Sequence, residues 1–177
     1  LPWLVFLQGG PGSPATRPEN LSGWLGMALQ RYRVLLLDQR GTGRSTPLTI
    51  QTLAHIGTAQ AQADYLTHFR ADSIVRDAEL IRGQLLGEDR RWTLLGQSYG
   101  GFCIGTYLSF APEGIEAAMI TGGLPQIGQA VDDVYRHTYR RVIEQNKRYL
   151  QRYPDDADRL RKIIDYMRSH EVELPGG

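Results

Sequence analysis

The sequence holds a single cysteine, Cys103, in 177 residues, so no disulfide can form within the chain. A fold stapled by disulfides is thereby excluded. A reducing compartment fits, and the expected location is the cytoplasm. Charge of one sign is equally scarce. Twenty basic residues face 19 acidic ones, for a net charge of +1. That balance gives no electrostatic case for nucleic acid or an anionic membrane as partner. No uninterrupted apolar stretch approaches the roughly 20 residues that span a bilayer. Zinc-ligand spacing is missing, and the Asp155-Asp156-Ala157-Asp158 cluster lacks the glycine and terminal glutamate of a calcium loop. Its acids are expected to cap a helix instead. An initiating methionine is also missing. The chain opens at Leu1 on an apolar run and stops at Gly177 after a charged stretch with no closing strand. The expectation is a piece of a longer protein.

What is present is ordinary for a globular domain: 41% hydrophobic and 22% charged residues, and enough length for one core. Leu1 to Leu7 has the short apolar pattern of a buried strand, ended by Gln8-Gly9-Gly10-Pro11-Gly12. Asn20 or Ser22 can cap a helix through Gln30, with Trp24, Leu25, Ala28 and Leu29 on one face. Val34 to Leu37 is a second strand, followed by Asp38-Gln39-Arg40-Gly41-Thr42-Gly43-Arg44-Ser45. This glycine-rich loop is not a P-loop, because the lysine is an arginine and no glycine stands five residues before Gly43. It is not a dinucleotide fingerprint either, since no glycine stands at position 46. A turn carrying a buried Asp–Arg pair is the better expectation. Thr46 to Phe69 reads as an irregular excursion with one short helix. Asp72 is expected to cap a helix over 73–86 with Ile74, Val75, Ala78, Ile81 and Leu85 on its apolar stripe and Gly87 at its end. Trp92 to Leu95 and Ile115 to Thr121 are further strands, with a helix over 102–110 between them.

Strand and helix alternate, which predicts a parallel α/β sheet with crossover helices. From about Gln129 the texture changes: the last 49 residues carry 19 charged side chains, against 20 in the first 128. Two amphipathic helices are expected there, over 131–153 and 156–169. Their apolar positions are Tyr135, Tyr139, Val142, Ile143, Tyr149 and Leu150, then Leu160, Ile163, Ile164 and Met167.

The chemistry centres on Gly96-Gln97-Ser98-Tyr99-Gly100-Gly101, between an apolar strand and a helix. That context is what a nucleophile elbow requires: one serine held at the top of a sheet, with small residues two before and two after it. A serine hydroxyl needs a base to remove its proton, and the oxyanion formed on attack needs at least two aimed N–H donors. Tyr99 can supply one backbone N–H. The Gly9-Gly10 loop can supply the other, from Gly10. Cys103 is expected to be a small buried thiol.

These three loops, Gln8 to Gly12, Asp38 to Thr46 and Gly96 to Phe102, resemble those of proline iminopeptidases of the α/β-hydrolase fold over about residues 1–125. The resemblance implies a partial hydrolase core over 1–125 and, over 126–177, the beginning of a helical cap domain. It implies a serine aminopeptidase that releases proline or another small N-terminal residue from a small peptide with a free N-terminus. Ser98 would be the nucleophile, and no cofactor or metal would be needed. Another capped hydrolase of this fold, an esterase or a longer-peptide aminopeptidase, is one alternative. A non-catalytic binding protein of the same fold is the other. The family usually has His where this chain has Gln8, so the support of that loop is expected to differ. In this fold the acid and then the base follow the serine on late strands. His55 and His68 precede Ser98, and His137 and His170 lie in the charged helical stretch. The base and acid are therefore expected beyond Gly177, and the isolated chain is expected to be inactive. Nothing in the sequence specifies an oligomeric state.

Overall fold

The computed structural model describes residues 1–172. Four strands form one parallel sheet: β1 (Trp3–Leu7), β2 (Arg33–Leu37), β3 (Trp92–Gln97) and β4 (Ile115–Thr121). Their order across the sheet is β2-β1-β3-β4. From β1 the chain passes through α1 (Gly23–Ala28) to β2 on one side. It then returns through α4 (Ala71–Leu86) to place β3 on the other side of β1. The winding thus reverses between β1 and β3. In open α/β sheets, the carboxyl ends of strands at such a reversal form a crevice. The Gly9-Gly10 and Ser98 loops both leave the sheet there.

Side chains alternate across each strand, and the alternation sorts the helices. Val5 and Leu7 of β1 are fully buried in a core with Trp92 and Leu94 of β3 and Ile74, Val75 and Ala78 of α4. Cys103, Ile104 and Tyr107 of α5 (Tyr99–Phe110) complete that layer. Phe6 points to the other face, where its ring lies 4.7 Å from that of Trp24 in α1. Burial of each large aliphatic here is worth about 1.5–3 kcal/mol.

The α4 helix departs from expectation at two points. It starts at Ala71 behind Arg70, so Asp72 is not its cap but a first-turn acid, 3.4 Å from Arg76. Leu85 is half exposed, and Arg82 takes a core-facing place instead. Arg82 is 5% exposed and pairs with Glu79 at 2.8 Å. It also donates to the carbonyls of Glu88 and Arg90 at 2.9 and 2.6 Å. Tyr107 donates to the same Glu79 and accepts from the Trp92 indole at 3.1 Å. Burial raises the Tyr107 phenol, and the hydrogen bond to the Glu79 carboxylate raises it further. This network locks α4 to α5 at the start of β3, the opposite end of the sheet from the serine. Arg82→Met strands Glu79 and two carbonyls, so a loss of about 3 kcal/mol is expected in denaturant unfolding of the whole protein.

The excursion between β2 and α4 is more ordered than its composition indicates. It holds two helices, α2 (Ile50–Ala54) and α3 (Ala59–Leu66), and a 3-10 turn over Thr67–Phe69. Thr49 and Thr52 form a reciprocal capping box, and Thr58 accepts from the Ala61 N–H. The α1 helix is shorter than expected. It ends at Ala28, and the hydroxyl of its cap residue Ser22 donates to the Asn20 side chain and caps no helix N–H.

The chain divides at Pro125 into two compact units, Leu1–Pro125 and the residues from Gln126 on. The second consists of α6 (Val131–Arg152) and α7 (Asp156–Ser169). Their expected apolar positions are exposed, except Leu150, which is partly buried. Asp155 precedes α7 without a side-chain capping bond. Asp156 and Asp158 act through charge in the first turn and pair with Arg159 and Arg161. No helix among the described residues is long and apolar enough to cross a membrane.

Candidate active site

Ser98 stands between β3 and α5 with φ 53° and ψ −116°. Among the described residues it is the one non-glycine with positive φ. Such a backbone costs on the order of 1–3 kcal/mol and persists only where its surroundings hold it. The Ser98 N–H donates to the Thr121 carbonyl at the end of β4, and its own carbonyl accepts from the Gly101 N–H, both at 2.9 Å.

Four glycines make room for this turn. A Cβ on Gly96 would fall 2.8 Å from the Gly101 nitrogen, and one on Gly101 would fall 2.9 Å from the Gly123 carbonyl carbon. A Cβ on Gly100 would overlap the Leu7 carbonyl oxygen, and one on Gly123 the Ser98 carbonyl oxygen. Gly100 and Gly123 therefore let the ends of β1 and β4 close on the elbow. The part played by Gly123 escaped the sequence, although a Gly-Gly pair directly after a strand is the signal that could have shown it. The α5 helix also begins at Tyr99, three residues earlier than its composition suggested. The Tyr99 N–H is one of the first-turn donors with no intrahelical acceptor, at the positive end of the helix dipole.

Gly9 is buried against the elbow. A Cβ there would lie 2.9 Å from both the Ser98 Cβ and the Gln97 carbonyl oxygen. Gly10 follows with φ +129°, a conformation open to glycine, and joins Pro11 through a cis bond. Sheet topology thus brings Gly9 against Ser98, with Gly10 and Tyr99 as their chain neighbours.

The loop after β2 is the scaffold of the loop after β1. Asp38 is 8% exposed and accepts from the Ala15 N–H at 3.0 Å and the Arg44 N–H at 2.9 Å. Its ion pair is with Arg17, at 2.8 Å, so the expected Asp–Arg pair joins two loops instead of closing one. Gln39 donates to the Gln8 carbonyl at 3.1 Å. Support of the first loop thus comes from Gln39 to the Gln8 main chain, and no hydrogen bond of the Gln8 side chain is found among the described residues. Burial pushes the Asp38 carboxyl up, but the two N–H groups and the Arg17 guanidinium outweigh it and hold the carboxyl below its usual range. A lowered folded-state pKa means stability that is present above the unfolded value of about 4 and lost as pH falls through the folded value. Asp38→Asn is therefore expected to flatten the acid limb of the stability curve below about pH 4, as followed by denaturant midpoints against pH.

Cys103 is fully buried, and burial pushes its thiol up to about 12. The Tyr99 phenol beside it is also raised to about 12, by burial first and then by Cys103. Both are neutral at pH 7, so Cys103 has no thiolate to compete with the serine. Among the described residues of the first unit, neither His55 nor His68 hydrogen-bonds Ser98. His55 and His68 are exposed. His137 bonds the Asp133 carbonyl of its own helix at 2.8 Å, and His170 stacks on Tyr166 at 4.1 Å. The described residues contain no cluster of three His, Cys, Asp or Glu side chains suited to a metal ion.

Residues 2–170 match the family model of the alpha/beta hydrolase fold. A proline iminopeptidase of Aeromonas sobria is 54% identical over 177 residues, covering all of this chain and 41% of that protein. A proline iminopeptidase of Aspergillus aculeatus is 40% identical over 186 residues, covering all of this chain and 40% of that protein. The chain thus spans about two-fifths of the length of these curated relatives. Among solved structures, a proline iminopeptidase-related protein of Thermus thermophilus aligns over 67% of this chain and 35% of its own, at 30% identity and a TM-score of 0.44.

Proposed function

The chain belongs to the α/β-hydrolase family, and from that premise we propose that the whole protein is a serine aminopeptidase that releases N-terminal proline, or another small residue, from peptides. The strained Ser98 backbone at the reversal of the sheet, with Gly9 packed against it, carries the chemistry of this reading. The substrate class rests on the similarity to the Aeromonas and Aspergillus proline iminopeptidases.

Ser98 Oγ attacks the carbonyl carbon of the N-terminal residue and gives its proton to a histidine base. The oxyanion is held by the N–H groups of Tyr99 and Gly10. Loss of one such donor typically costs about 100-fold or more in rate. The intermediate collapses, the C–N bond breaks, and the histidine returns the proton to the leaving amine. Water activated by the same base then hydrolyses the ester on Ser98. This reading assigns the base to a histidine, and its orienting partner to an aspartate, on loops after late strands of the fold. The residues from Gln126 on form the beginning of a helical cap. The same reading puts the protein in the cytoplasm, where a lone buried thiol such as Cys103 stays reduced.

The test is turnover by the whole protein of a prolyl arylamide beside its N-acetylated form and a simple aryl ester. Release of arylamine from the free-amine substrate alone is expected. Turnover of the ester without the prolyl arylamide would assign a capped esterase instead. Turnover of neither would leave a binding protein of the same fold.

A further inference from the structure

The excursion between β2 and α4 has a use that the reaction above leaves unassigned. Its Leu48, Leu66 and Phe69, with Pro11, Gly12 and Tyr99, line a cavity of about 300 Å³. One of these residues, Pro11, directly follows the oxyanion donor Gly10, and another, Tyr99, carries the second N–H. The wall is anchored. Arg40 donates to the His68 carbonyl at 2.7 Å and to both Asp77 oxygens at 2.6 and 2.5 Å. The Phe69 ring rests on Gly41, where a Cβ would come within 2.8 Å of it, and on Tyr65 at 5.0 Å between centroids. Leu66, by contrast, is 41% exposed, an apolar side chain held open at the cavity wall.

We propose that this cavity receives an apolar side chain from the second residue of the peptide, the one that leaves when the bond to the N-terminal residue is cut. The inference rests on the aminopeptidase reading of Ser98. An N-terminal residue has its side chain on the carbon next to the reacting carbonyl, so its pocket must border Ser98 itself. This cavity borders Pro11 and Tyr99, beside the reacting centre, with neither Ser98 nor Gly10 in its lining. The second residue of an extended peptide lies about 3.5 Å further along the chain than the first. With one free amino end, the substrate continues only on the leaving side. The lining is mostly apolar, as specificity pockets are.

The whole protein is given Pro-Leu-amide, Pro-Gly-amide and Pro-Arg-amide. The wild type is expected to favour Pro-Leu over Pro-Gly in kcat/KM by about tenfold or more, mainly through KM. Leu66→Glu is expected to bring that ratio near one and to raise Pro-Arg relative to Pro-Leu by about tenfold. Leu66→Ala is expected to lower the Pro-Leu to Pro-Gly ratio by a smaller factor. A reversal toward Pro-Arg is a result that loss of folding alone does not give. Unchanged ratios in both variants of an active enzyme would overturn this pocket and leave the aminopeptidase standing. Absence of proline release from every substrate by the wild type would overturn both.

Discussion

Ser98→Ala in the whole protein is expected to lower kcat/KM for a prolyl arylamide by about 10⁴-fold or more, with little change in its unfolding midpoint. The magnitude follows from what one atom does. The hydroxyl forms the covalent bond, and the base has nothing to deprotonate without it. Oxyanion donors and substrate binding survive, so a residual rate of about 10³–10⁴ over water remains. Stability is spared because the strain at this position lies in the backbone, at φ 53°. Alanine inherits that strain and the same main-chain hydrogen bonds to Thr121 and Gly101. Steady-state kinetics beside a denaturant titration separates the two effects. A loss of less than about tenfold would mean that another group makes the attack.

Gly100→Ala is expected to act the opposite way, through the fold. Its added methyl would occupy the place of the Leu7 carbonyl oxygen, which is main chain of the central strand β1 and cannot swing aside. The elbow, β1 or both must move, and a loss at or beyond about 4 kcal/mol is expected. Gly57→Ala is the contrasting case. Gly57, unlike the helical Gly100, has positive φ, at +89°, and no atom lies within 4 Å of its added Cβ. Only backbone strain is incurred there, about 1 kcal/mol. Denaturant midpoints of the two variants in the whole protein measure the contrast. Equal losses would show that close packing at the elbow is not what requires glycine.

Much of this architecture was legible in the sequence, because parallel strands read as short apolar runs, and all four stand out as such. Ser98 and its glycines stood out for the same local reason: the elbow is a feature of six consecutive residues. Longer-range features were harder. Asp38 and Gln39 were seen as a turn, yet their partners Ala15, Arg17 and Gln8 lie more than 20 residues away. No local pattern names such partners. Arg82 was missed because a long basic side chain on a helix is normally solvated, and only the carbonyls of Glu88 and Arg90 and the Glu79 carboxylate make its burial tolerable. The helices at 50–54 and 59–66 lack a strong apolar stripe and are set by their threonine caps. The early start of α5 was hidden by Gly100 and Gly101, poor helix formers kept for close packing against Leu7 and Gly123.

The central claim is that Ser98 is an activated nucleophile serving an aminopeptidase site. Its most direct measurement is peptide mapping by mass spectrometry of the whole protein after brief exposure to a fluorophosphonate at neutral pH, with and without a saturating prolyl substrate. The expected result is a single phosphonyl adduct on Ser98, slowed by the prolyl substrate and lost in Ser98→Ala. An adduct on another serine, or an unmodified Ser98 in a protein that still releases proline, would contradict it.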